Sequence, residues 1–97
     1  MQAIAGDAME ITNVKVTLVE DPSLKAIATL TFDACFVVKG IKVVQGERGL
    51  FVAMPSRRLP DGTYQDVAYP STKDMTEKVR TLVLEHYHKA MGTRVRD

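Results

Sequence analysis

The apolar residues of this 97-residue chain change their spacing once, and the change falls at Pro70. Before it they recur at every second position: Val14, Val16 and Leu18, then Leu24, Ala26, Ala28, Leu30 and Phe32. Side chains alternate across a strand, so this spacing gives each segment one apolar and one polar face. After Pro70 the apolar positions are Met75, Val79, Leu82, Val83, Tyr87, Ala90 and Met91, the stripe of an amphipathic helix. Strands first and a helix last make an α+β chain, with an antiparallel sheet of about five strands followed by one long C-terminal helix. One helix cannot cover both faces of such a sheet, and its edges carry unpaired backbone groups. A second copy of the chain is the expected cover, so a homodimer formed through the sheet is predicted.

Turn residues punctuate the strands. Asp21-Pro22 separates the first two, and Asp33-Ala34 precedes the apolar run Cys35-Phe36-Val37-Val38. Gly40 interrupts the third strand, where a glycine marks a bulge or a close backbone approach. Gly46-Glu47-Arg48-Gly49 reads as a short hairpin loop whose glycines take positive φ. Pro55 removes a ladder donor and ends the Leu50–Met54 strand, and Leu59-Pro60-Asp61-Gly62 fits a β-turn before a last strand over residues 63–69. Ser71 and Asp74 stand in the S-x-x-acid pattern of a helix start, and Gly92 is the expected stop. On the wet side of that helix, Asp74 with Lys78 and Glu85 with Lys89 have the spacing of ion pairs.

A single domain of this length buries roughly 60–70% of the surface its unfolded chain exposes, which again favours association. The one cysteine, Cys35, lies in an apolar run and is expected to be buried in a reducing, cytoplasmic setting. No segment has the roughly 20 apolar residues of a membrane span, and the first residues lack the pattern of a signal peptide. The formal net charge of +1 hides an uneven distribution. Residues 1–33 sum to −3, whereas residues 34–58 hold Lys39, Lys42, Arg48, Arg57 and Arg58 against Glu47 alone, a balance of +4. A local anion site depends on this central excess rather than on the total.

Motifs for enzyme chemistry are lacking. The chain has no H-E-x-x-H, C-x-x-C, P-loop or G-x-S-x-G pattern, and Ser56 has no identifiable base. His86 and His88 are two apart, which places them on different sides of a helix and makes them a poor metal pair. No metal, cofactor or small-molecule substrate is expected. What remains is Arg57 and Arg58, adjacent at a strand end, where a guanidinium fork suits phosphate oxygens and the edge of guanine. Tyr64 or Tyr69 on the next strand is placed to stack on a base. The competing account gives the two arginines to surface ion pairs with Asp61 or Asp66.

The strings "MEITNVKV", "KAIATLTFDACFVVKGIKVV" and "GLFVAMPSRRLPDGTYQDVAYP", followed by a helix holding "VLEHYH", resemble the bacterial septation protein SpoVG family in order and spacing. The resemblance covers residues 9 to 88 and gives a single domain over 9–92, an N-terminal extension over 1–8 and a frayed tail over 93–97. It departs around Asp33-Ala34-Cys35, where more polar residues are usual in the family. It implies a small cytoplasmic dimer that binds DNA, and in some members RNA, without catalysis, in gene regulation, septation or sporulation. Carried onto this chain, the contacts are Arg57 and Arg58 with Ser56, and Lys42 and Arg48 belong to the same basic segment. The alternative is a protein–protein module of the division or sporulation machinery, with the arginines meeting an acidic partner.

Overall fold

The computed structural model describes the backbone of residues 9–96 and the side chains of residues 9–92. The expected extension over residues 1–8 lies outside the described residues, as does Asp97. Six strands precede one helix: β1 (Ile11–Leu18), β2 (Leu24–Phe32), β3 (Phe36–Gly46), β4 (Gly49–Ala53), β5 (Ser56–Arg58), β6 (Tyr64–Asp66) and α1 (Lys73–Arg96). β1 to β4 form an antiparallel meander in chain order, and β5 pairs with β6 in a separate two-stranded ribbon. The α+β arrangement agrees with the change of period. The last strand, however, joins the arginine segment instead of widening the main sheet.

Burial follows the alternation. Ala26, Ala28, Leu30 and Phe32 of β2 face the core with Ile41 and Val43 of β3, and Val79, Val83 and Tyr87 of α1 close it from above. Val14, Val16 and Leu18 on β1 and Leu50, Val52 and Met54 at β4 flank this centre. The opposite face of the sheet has no helix over it. Of the apolar stripe on α1, the row at four-residue spacing from Met75 to Met91 makes the core contacts, whereas Leu82 is half-buried in a groove beside Ile11.

The turns show why the strands stop where they do. Asp21 Oδ2 accepts the N–H groups of Ser23 (3.0 Å) and Leu24 (2.8 Å), which holds its carboxyl below the usual range. Asp33 and Ala34 both adopt positive φ (52° and 55°), and the Cys35 N–H donates to Phe32 O at 3.0 Å. This tight reversal lifts Cys35 into solvent, so the thiol is exposed and not buried as its apolar neighbours suggested. Left-handed backbone at non-glycine residues costs about 1–2 kcal/mol each. Tethers to the chain before and in β1 compensate: Glu10 N–H to Asp33 Oδ1 (2.9 Å) and Ala34 N–H to Thr12 Oγ1 (2.9 Å). In the β3–β4 loop Gly49 takes positive φ (126°), but Gly46 does not.

The helix departs from expectation at both ends. Thr72, not Ser71, is the cap: its Oγ1 accepts the Met75 N–H at 3.1 Å. At the other end α1 continues through Gly92 to Arg96, because a glycine lowers helix propensity without forbidding the helix. The ion pair found among the described residues is Arg80 Nη2 with Glu77 Oε1 at 3.0 Å. Asp74–Lys78 and Glu85–Lys89 do not close, as is common where the entropy of two long exposed side chains outweighs a screened attraction.

β4 and β5 are separated by a paired break. The β3–β4 ladder ends at Lys42 with Ala53. The next positions would set Gly40 near Pro55, and they meet there: a Cβ on Gly40 would lie 3.5 Å from Pro55 Cβ. Gly40 has φ of +82°, and the β2–β3 register shifts between Ala28 and Leu30. A bulge on one strand and a missing donor on the other stop the ladder together, and the chain leaves the sheet to form the ribbon.

The ribbon is closed by the Leu59–Gly62 turn. Gly62 N–H donates to Leu59 O (2.9 Å), Leu59 N–H donates to Thr63 O (2.7 Å), and Gly62 takes φ of +91°. Asp61 Oδ1 accepts both the Thr63 hydroxyl (2.7 Å) and the Thr63 N–H (3.0 Å), and these bonds hold its carboxyl below its ordinary pKa.

Two outcomes follow from this packing. Leu30, with no exposed surface, should lose about 2–5 kcal/mol on replacement by alanine, whereas Leu82→Ala should cost about 1 kcal/mol. Equal shifts in the urea midpoints of the two variants would place the helix in a different rotation. The second outcome concerns acid. Asp61 has a depressed folded pKa, so its contribution to the turn is fully present above 3.8 and is lost as pH falls through the lower folded value. An NMR titration should show the Thr63 amide shifting with a midpoint below 3.8, and Asp61→Asn should abolish that step.

Candidate nucleic-acid interface

β5 is only three residues long, and each of Ser56, Arg57 and Arg58 is exposed. The same holds for Tyr64, Gln65 and Asp66 of β6. The register pairs Ser56 with Asp66, Arg57 with Gln65 and Arg58 with Tyr64. Because successive side chains point to opposite faces, the adjacent arginines do not share one. Arg57 and Gln65 occupy one face of the ribbon; Ser56, Arg58, Tyr64 and Asp66 occupy the other. Neither face is packed on the rest of the molecule, and the substantial packing of β5 and β6 is on each other. A two-stranded ribbon with both faces wet is marginal by itself. Its anchors are the turn at Asp61 and the Val67 N–H bond to Pro55 O at its root (2.8 Å).

Electrostatically the ribbon is open. Among the described residues, neither the Arg57 nor the Arg58 side chain makes a hydrogen bond or ion pair, so the acidic neighbours do not take them. Asp61 is committed to Thr63 inside the turn. The Arg58 guanidinium extends back over that turn, with Nη2 3.9 Å from where a side chain on Gly62 would begin. Two exposed guanidinium groups therefore stand on a paired backbone with their donors unused.

The other basic residues are spread around this arm. Lys42 is opposite Ala53, near the ribbon root, on the sheet face turned away from the helix. Lys39 is exposed at the Gly40 bulge, also beside the root. Arg48 lies in the β3–β4 turn, at the far end of β4, roughly 17 Å of strand from the Pro55 junction. The fold thus gathers Ser56, Arg57 and Arg58, brings Lys42 and Lys39 to their base, and leaves Arg48 apart. Tyr64, foreseen as a neighbour, is directly across from Arg58 and 70% exposed, whereas Tyr69 lies beyond β6. Gln65 was not foreseen. Counting outward from the Leu59–Gly62 turn gives its pairing with Arg57, and that count was the available signal.

The histidines serve the helix. His86 is partly buried, and its Nδ1–H donates to Leu82 O at 2.9 Å, which fixes the tautomer because a carbonyl only accepts. His88 meets the Tyr87 ring edge-on, with centroids 5.4 Å apart. Among the described residues, no three His, Cys, Asp or Glu side chains gather at metal-binding distance. No described helix is long and apolar enough to cross a membrane.

Comparison with known proteins finds sequence relatives over most of the chain. A sequence model of the SpoVG family matches residues 9–89. The chain is 44% identical over 88 residues to a protein of Clostridium beijerinckii, covering 90% of this chain and 97% of that one. It is 45% identical over 83 residues to a protein of Anaeromyxobacter sp. strain K, covering 86% and 82%, respectively. A Thermoanaerobacter protein is 47% identical over 83 residues, covering 84% of this chain and 90% of its own length. Each of the three bears the name "Putative septation protein SpoVG". With the match running from Met9, two residues ahead of β1, to Lys89 in the C-terminal half of α1, this chain belongs to the SpoVG family.

Proposed function

We propose that this chain is a dimeric nucleic-acid-binding regulatory protein, acting on DNA, with RNA as a second ligand, in gene regulation linked to septation or sporulation. One observation carries the reading: two arginines on a solvent-exposed ribbon, held by backbone hydrogen bonds and left without any partner of their own. Arginines that served stability would be paired or packed, and these are neither. Phosphate is the ligand whose geometry and charge a free guanidinium fork fits best.

The dimer is supported by what the helix leaves open. Ile27 (38% exposed) and Phe51 (47% exposed) lie on the uncovered face of the sheet, around Lys42 and Val44. β4 is an edge strand with one side unpaired. A second copy covers such a surface and doubles the number of ribbons, which offsets the small net charge of each chain. Light scattering should give about twice the 10.7 kDa chain mass at micromolar concentration.

The binding claim is tested by salt. Each phosphate contact contributes a slope of about −0.9 in log affinity against log salt on duplex DNA. Replacing Arg57 and Arg58 together by alanine should flatten the slope by roughly 2 to 4 units per dimer and nearly abolish binding. The thermal melt should stay unchanged, because no described contact is lost. A folded double variant with wild-type affinity and slope would refute the assignment. If a protein partner were the true ligand, non-specific DNA would fail to compete with it.

A further inference from the structure

The two faces of the ribbon are chemically different, and the difference assigns them different tasks. One pairs Arg57 with Gln65 and has no carboxylate; the other carries Arg58 and Tyr64 together with Asp66 next along the ribbon. Two paired strands are about 4.8 Å apart, and the B-form major groove, about 12 Å wide, admits such a ribbon lying flat. Between two rows of phosphates a carboxylate is repelled unless a cytosine N4–H offsets the repulsion, so a face without one enters the groove at lower cost. Only the Arg57–Gln65 face meets that condition.

Resting on the nucleic-acid reading above, we infer that Gln65 and Arg57 are the base-reading residues of this chain and that their ligand is B-form duplex DNA. The two side chains are directly opposite on neighbouring strands, so they reach neighbouring positions on the groove floor. Arginine donates twice to O6 and N7 of guanine, and the glutamine amide donates to N7 and accepts from N6–H of adenine. Side by side they select adjacent or near-adjacent purines, one guanine and one adenine. Arg58, on the outward face, curves back toward the groove wall and supplies charge without reading sequence. The deep, narrow major groove of A-form RNA excludes the ribbon, so double-stranded RNA is not a ligand of this face.

The full-length protein should be used to select from a pool of duplex DNA with a randomised segment, alongside Gln65→Ala, Arg57→Ala and Arg58→Ala. Wild type should enrich a short guanine-plus-adenine element. Gln65→Ala should erase the adenine preference about tenfold or more, keep the guanine, and leave the salt slope as it was, since no charge is removed. Arg57→Ala should erase the guanine preference. Arg58→Ala should weaken all sequences alike and flatten the slope by about 2 units per dimer. Circular dichroism melts confirm folding of each variant, and exposure of all three residues makes a folding loss unexpected. Duplex binding with an unchanged base pattern in Gln65→Ala overturns this inference alone, as does wild-type binding with no base preference. Wild type that retains no duplex but binds single-stranded RNA overturns this inference alone, and wild type that retains neither overturns the nucleic-acid reading with it.

Discussion

The contact between α1 and the central strands is the interaction on which everything else rests. Ala26 and Ala28 are fully buried on β2 in one cluster with Val79, Val83 and Tyr87 of α1, while the helix backbone runs nearest to β1. The larger residues, Leu30, Ile41 and Val43, fill the rest of that cluster. Close packing of this kind is worth a few kcal/mol per large side chain, a sizeable share of the stability of a 97-residue domain. The helix protects one face only, and that asymmetry leaves the opposite sheet face and the ribbon accessible to other molecules.

How far the residues alone led can be judged element by element. The alternation in β1 and β2 and the stripe in α1 were plain, because burial on one side imposes a strict period. Gly40 and Pro55 were each legible as interruptions. Their meeting was not, since it depends on the β3–β4 register, which no local pattern states. For the same reason the segment after Pro55 read as the end of a strand when it is the start of a new one. Cys35 has apolar neighbours in sequence but not in space, because two left-handed residues before it turn the chain outward. The helix cap slipped by one residue, from Ser71 to Thr72, because Thr72 caps the Met75 N–H with its hydroxyl alone and has no acid three residues on to announce it.

The candidate site shows the same division. Arg57 and Arg58 stand out in any reading for their adjacency and their place after Pro55. That they point apart follows from the pleat and alters the picture: two arginines on one face would clamp a single anion, whereas one on each face suits a ligand that surrounds the ribbon. Grouping Arg48 with them was natural from charge counting along the chain, yet β4 holds it at the far end of the hairpin. Proximity in a list of basic residues is not proximity in a sheet.

The break at Gly40 and Pro55 has an evolutionary consequence. It puts the ribbon outside the hydrophobic core, so substitutions at the six positions of β5 and β6 alter an exposed surface with little effect on whether the chain folds. A mutation in β2 is judged by packing; a mutation in the ribbon would be judged by whatever the ribbon is proposed to meet. The two constraints fall on separate parts of one short chain. Such a scaffold can acquire new targets in different lineages while its architecture drifts hardly at all.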